Sequence, residues 1–104
     1  MLIVSLDHLV VYVTDVERAV DWYTRVLGMT RLDYGTDPDH LRTALVFGAQ
    51  RINLRPMTMG KEEWFTADHE AARSHDLCFI TSSSPEGVSA HLRASSIAVV
   101  SDPD

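Results

Sequence analysis

The chain has 104 residues, 45% hydrophobic and 23% charged, which bounds it to one globular domain with a single modest core. Its formal net charge of −6, with no Lys/Arg-rich run, argues against nucleic acid or an anionic membrane surface as the main partner. No apolar stretch approaches the roughly 20 residues that span a bilayer, and the opening "MLIV" lacks the basic start and cleavage site of a signal peptide. The single Cys78 cannot close an internal disulfide, so a reducing, cytoplasmic setting is expected.

Leu6 to Val13 is rich in Val, Leu and Tyr and reads as a strand. Alternation puts Leu6, His8, Val10 and Tyr12 on one face and Leu9, Val11 and Val13 on the other. Thr14 and Glu17 have capping-box spacing. Val16, Ala19, Val20, Tyr23 and Leu27 then fall on one helical stripe, and Gly28 is a natural stop. Three shorter strands follow. They are Met29–Tyr34, Leu41–Phe47 after the turn-rich "GTDPDH", and Arg51–Arg55 after a Gly48-Ala49 hairpin, with Pro56 ending the last. Residues 5–55 thus spell β-α-β-β-β. Residues 56–74 carry no clear period and read as a linker, pinned by Trp64 and Phe65 to the core or to a partner subunit.

The pattern then restarts. "HLVVYVT" (8–14) matches "HDLCFIT" (75–81) with a constant shift of 67, so His8 matches His75 and Tyr12 matches Phe79. A second helix follows, with Ser84 as its cap, Pro85 at its first position and Glu86 in its first turn. "SIAVV" (96–100) predicts another strand. Cys78 alternates away from the His75 face and reads as a small buried apolar residue.

"LDHLVVYVTDVERAVDWYTRVLGM" resembles the opening of the vicinal oxygen chelate superfamily, which includes glyoxalase I, bleomycin and fosfomycin resistance proteins, and extradiol dioxygenases. The resemblance rests on the strand histidine, the "D-x-x-x-A-x-x-x-Y" helix and the closing "VLGM". It implies an α+β fold of paired βαβββ modules whose curved sheets form a cleft. It also implies a divalent ion (Zn, Fe, Mn, Ni or Co) on ligands from both modules, with His8 and His75 at two ligand positions. The fourth-strand glutamate position falls in "RINLRP", where Asn53 stands. The eighth-strand glutamate has no counterpart. The first unit spans residues 7–55 and the second only 74–104, a shortfall of about 18 residues, or two strands. The expected organisation is therefore one domain over 1–104: a first module at 5–55, a linker at 56–74, and a βαβ second module at 75–104 lacking its last two strands.

Two histidines alone hold an ion weakly, since zinc sites almost always use three or four protein ligands. Asp7 and Asp76 alternate away from their neighbouring histidines, and Glu17 is used as a cap. Tyr12 and Phe79 either line an aromatic pocket or pack in the core. Arg51 and Arg55 flank Asn53 on one strand face, where they either bind an anionic substrate or face solvent. His40, His69 and His91 read as surface residues. Three functions fit. The first is a small-molecule enzyme with metal assistance (a lyase or isomerase, dioxygenase or transferase) whose ion polarises substrate oxygens. The second is a metal-free small-molecule or drug binder. The third is an inactive member that self-associates through unpaired sheet edges. A homodimer is the expected assembly.

Overall fold

A computed structural model of the chain describes residues 1–60, 62, 64, 71, 72 and 75–99. Four strands and two α-helices run in the order β1 (Leu9–Val13), α1 (Val16–Leu27), β2 (Thr30–Tyr34), β3 (Arg42–Phe47), β4 (Gln50–Pro56) and α2 (Pro85–Ala94), with a 3-10 turn at Pro38–His40 between β2 and β3. The sheet order is β1-β4-β3-β2; β1 lies parallel to β4, and the other pairings are antiparallel. Residues 9–56 are thus one βαβββ module. Among the described residues no helix is long and apolar enough to cross a membrane.

Helix α1 starts one residue later than the capping-box spacing predicts. Asp15, not Thr14, is the N-cap: its backbone is extended and its carboxylate accepts the Arg18 N–H at 3.1 Å. Glu17 does no capping and instead pairs with Arg31 on β2. At the other end Gly28 adopts φ 68, and its N–H and that of Met29 bond the carbonyls of Thr24 and Tyr23, which the helix leaves free. Gly48 (φ 53) makes the β3–β4 reversal between the paired Phe47 and Gln50.

Cross-strand partners share a sheet face. One face carries Val11, Leu45, Ile52 and Leu54, which pack with Val20 of α1 and with Met29 to form the core. Leu45, Ile52 and Leu54 are at most 1% exposed, each worth roughly 1.5–3 kcal/mol of burial. Helix α1 covers this face. Val20 and Val26 are its buried residues, whereas Leu27, expected on the buried stripe, is 36% exposed. The other face carries Tyr12, Tyr34, Arg42, Ala44, Arg51, Asn53 and Arg55, by the same register.

The second unit departs from expectation. Helix α2 forms as predicted, with the Ser84 hydroxyl accepting the Gly87 N–H at 3.0 Å and Pro85 opening it. Its His91 ring donates from Nε2 to the Val26 carbonyl at 2.6 Å, so His91 tethers α2 to the end of α1 rather than standing free. Residues 75–81 and 96–99, however, form no strand, and Val100 lies outside the described residues. A strand exists only by pairing, and among the described residues nothing pairs with these segments. For the same reason β1 begins at Leu9, the first residue registered on β4, and not at Leu6. Cys78, expected to be buried, is exposed on the unpaired segment. Trp64 is buried, while Phe65 and His69 lie outside the described residues.

Candidate functional site

The face of the sheet turned away from α1 gathers charge and aromatic rings. Strand alternation puts Arg51, Asn53 and Arg55 side by side on β4. The Arg51 guanidinium donates from Nε to Asn53 Oδ1 at 2.7 Å and lies over the Tyr34 ring at 4.3 Å. To reach Tyr34 on β2 it passes over β3, where Ala44 stands between Asn53 and Leu32 in the register. A methyl at that position leaves room for the crossing, and Ala44 is fully buried. Arg55 is also fully buried. Its Nη2 donates to the Trp64 carbonyl at 3.1 Å, and its guanidinium lies 5.5 Å from the Tyr12 ring centre. Arg42 stacks on the Trp64 ring at 4.2 Å. A buried guanidinium persists only when hydrogen bonds and rings replace its water, and for Arg55 the Trp64 carbonyl and the Tyr12 ring supply part of that replacement.

Three cations therefore share one sheet face. Two carboxylates with clear roles lie on the opposite face. Arg31 holds Glu17 below the usual glutamate range, chiefly by hydrogen bonding. The Thr43 hydroxyl and then Arg31 hold Asp33 below its usual range. The Arg31 guanidinium is pushed up by the same two partners. The open face is electropositive, and the ion-paired face beside α1 is neutralised.

The residues expected to form one site separate into four places, although Tyr12 also lines the His75 cavity and Arg51 the Phe79 cavity. Tyr12, Arg51, Asn53 and Arg55 meet on the open face, and Arg55 is wholly buried rather than facing solvent. His75 lies beside α1, where Nε2 and the Tyr23 hydroxyl share a hydrogen bond of 3.3 Å. This pair lines a cavity of about 450 Å³ with Tyr12, Trp22 and Arg18, and burial pushes the Tyr23 hydroxyl up. His8 precedes β1 and is exposed, with Nδ1 3.6 Å from Asp7 Oδ2. Asp7 was expected to alternate away, but residues 7 and 8 lie outside the strand and alternation does not apply. Phe79 packs edge-on against Phe47 at 5.5 Å in an apolar cavity of about 570 Å³ that also includes Leu9, Met29 and Leu77. Tyr34 and Arg42 were not singled out from the sequence. Both fall on the open face once the β2–β3–β4 register is known.

Among the described residues no three His, Cys, Asp or Glu side chains form a group that could hold a divalent ion. The Asn53 oxygen already accepts from a guanidinium, and His75 Nε2 is engaged by Tyr23.

The fold and the residues have close counterparts. The model of the Glyoxalase/Bleomycin resistance protein/Dioxygenase superfamily matches residues 5–103. The chain is 36% identical over 103 residues to virulence protein STM3117 of Salmonella typhimurium, covering 99% of this chain and 67% of that protein. It is 40% identical over 99 residues to the glyoxalase domain-containing protein RDO1 of Mycosarcoma maydis, covering 95% of this chain and 52% of that one. The chain thus spans about half to two thirds of these curated relatives. Among solved structures, the integron cassette protein VCH_CASS1 from the mobile metagenome of V. cholerae superposes with a TM-score of 0.88 at 34% identity, over 100% of this chain and 77% of that one. The crystal structure of STM3117 superposes with a TM-score of 0.80, over 100% of this chain and 78% of that one. The α+β architecture is that of the paired-module fold, and the chain belongs to the glyoxalase/bleomycin resistance protein/dioxygenase superfamily.

Proposed function

We propose that the chain is a small-molecule-binding domain whose ligand lies on the open face around Arg51 and Asn53, with no divalent ion held there by the chain's own residues. Proteins of this superfamily often use such ions. The observation that carries the metal-free reading is the 2.7 Å bond from Arg51 Nε to Asn53 Oδ1. The guanidinium stands where a cation would need to approach the same oxygen. Like charges about 4 Å apart near a protein surface repel by on the order of 4 kcal/mol per unit charge.

Elemental analysis of protein purified without chelator tests this, repeated on His8→Ala and His75→Ala. The expected result is no stoichiometric metal and a melting temperature unchanged by added Zn or Mn. Stoichiometric metal that both substitutions abolish overturns it in favour of a metal-assisted lyase, isomerase, dioxygenase or transferase with His8 and His75 as ligands.

The same reading includes a homodimer. Leu2, Ile3, Val4 and Ile80 are 73–100% exposed, and a second copy covering them removes that apolar surface from water. Light scattering on the eluted protein checks this, and a stable monomer refutes it. The reducing, cytoplasmic setting rests on the lone Cys78.

A further inference from the structure

We propose that the ligand of the open face carries a carboxylate, and that Arg51 grips it end-on. This rests on the reading that the open face binds a small molecule, and it names the chemical class of that molecule. Two contacts hold Arg51 in place: the Nε bond to Asn53 Oδ1 at 2.7 Å and the stack on Tyr34 at 4.3 Å. Neither uses the two terminal nitrogens, which have no hydrogen-bond acceptor among the described residues. A guanidinium anchored at Nε presents Nη1 and Nη2 as a planar fork, which matches the two oxygens of a carboxylate. The side chain is half-buried, so its charge is poorly hydrated and an anion gains more there than on an open surface.

The surroundings agree in sign and shape. Asn53 is 3% exposed and neutral, so the residue that positions Arg51 does not cancel its charge. An aspartate at 53 would hold the same hydrogen bond and neutralise the fork. The residue beside Arg51 in the register is Val46, and Leu32, 41% exposed, flanks Ala44 on the same face. An apolar ligand body rests on Leu32 and Val46, with the hydroxyl of Thr30, the β2 partner of Val46, at its margin. The ligand class is a small organic acid with an apolar body. Arg51 acts by binding, and Asn53 and Tyr34 are positioning residues.

The test uses the full chain and two isosteric probes, benzoate and the neutral benzamide, followed by calorimetry and by amide shifts along β3 and β4. Benzoate is expected to bind with shifts at 44–46 and 51–53, and benzamide to bind at least about tenfold more weakly. Arg51→Gln is expected to lower benzoate affinity at least about tenfold. Asn53→Asp preserves side-chain size and the Nε bond, so it guards against a folding defect, and it is expected to weaken benzoate by a similar factor. Arg93→Gln, on the exposed side of α2, leaves binding unchanged. Equal binding of the two probes at the open face refutes the carboxylate inference while leaving the small-molecule site standing. Unchanged benzoate affinity in folded Asn53→Asp also refutes it. Failure of both probes to shift any open-face resonance refutes the binding reading itself and this inference with it.

Discussion

Arg31 on β2 grips the Glu17 carboxylate of α1 with both terminal nitrogens, at 2.7 and 2.8 Å, while its Nε holds Asp33 at 3.1 Å. This fork ties the helix to the far edge strand of the sheet, and the Thr43 hydroxyl extends it to β3 by donating to Asp33 at 2.8 Å. The arrangement makes stability depend on pH. Glu17 and Asp33 both titrate below their ordinary values of 4.5 and 3.8. Carboxylates of this kind contribute stability above the unfolded pKa, and the contribution disappears as pH falls through the folded one. The melting temperature is therefore expected to drop as pH falls below about 5. Glu17→Gln should flatten that slope in thermal melts across the acid range.

Asp15, not Thr14, caps α1, and the two substitutions separate them. Asp15→Ala is expected to cost about 1 kcal/mol in denaturant unfolding. Thr14→Ala should stay within about 0.5 kcal/mol, as for an exposed surface residue. The reverse order would restore the capping box.

Leu45 is fully buried at the centre of the helix-covered face. Leu45→Ala leaves a cavity between β3, β4 and α1, and the expected loss is about 2–5 kcal/mol by chemical denaturation. For a domain of this size that is a large fraction of the total stability.

Among the described residues the buried Tyr34 hydroxyl has no hydrogen-bond partner, although its ring carries the Arg51 guanidinium. Tyr34→Phe keeps the stack and removes the unsatisfied oxygen. Unfolding free energy is expected to hold or rise by about 1 kcal/mol. Tyr34→Ala removes the stack as well, and should free the Arg51 side chain, read as loss of its slowly exchanging Nε–H signal.

The first module was legible in the sequence because each of its signals is local. Alternation marked β3 and β4, the 3.6-residue stripe and Gly28 marked α1, and Ser84-Pro85 marked the start of α2. The repeat of "HLVVYVT" in "HDLCFIT" was equally visible, yet the second copy forms no strand. Matching residue types does not supply a pairing partner, and the exposed Cys78 follows from that. Alternation also placed Arg51, Asn53 and Arg55 on one face. Only the burial of Arg55 and its bond to the Trp64 carbonyl reveal that the Arg55 end of this face is packed while the Arg51 end stays open.

The sequence by itself determined the family, the element types of the first module and the face on which β4 carries its polar residues. The family rests on the resemblance of residues 6–29, and the other two depend on periodicity and caps within a few residues. Tertiary structure alone decided where the long side chains end. Arg51 crosses Ala44 to Tyr34 because β2, β3 and β4 pair in one particular register. Arg31 reaches Glu17 because α1 lies over the other face. His75 turns to Tyr23 because the segment that carries it packs beside α1 rather than into a ladder. Charge sign was readable residue by residue, but which charges meet depends on strand register, and that is a property of the folded sheet.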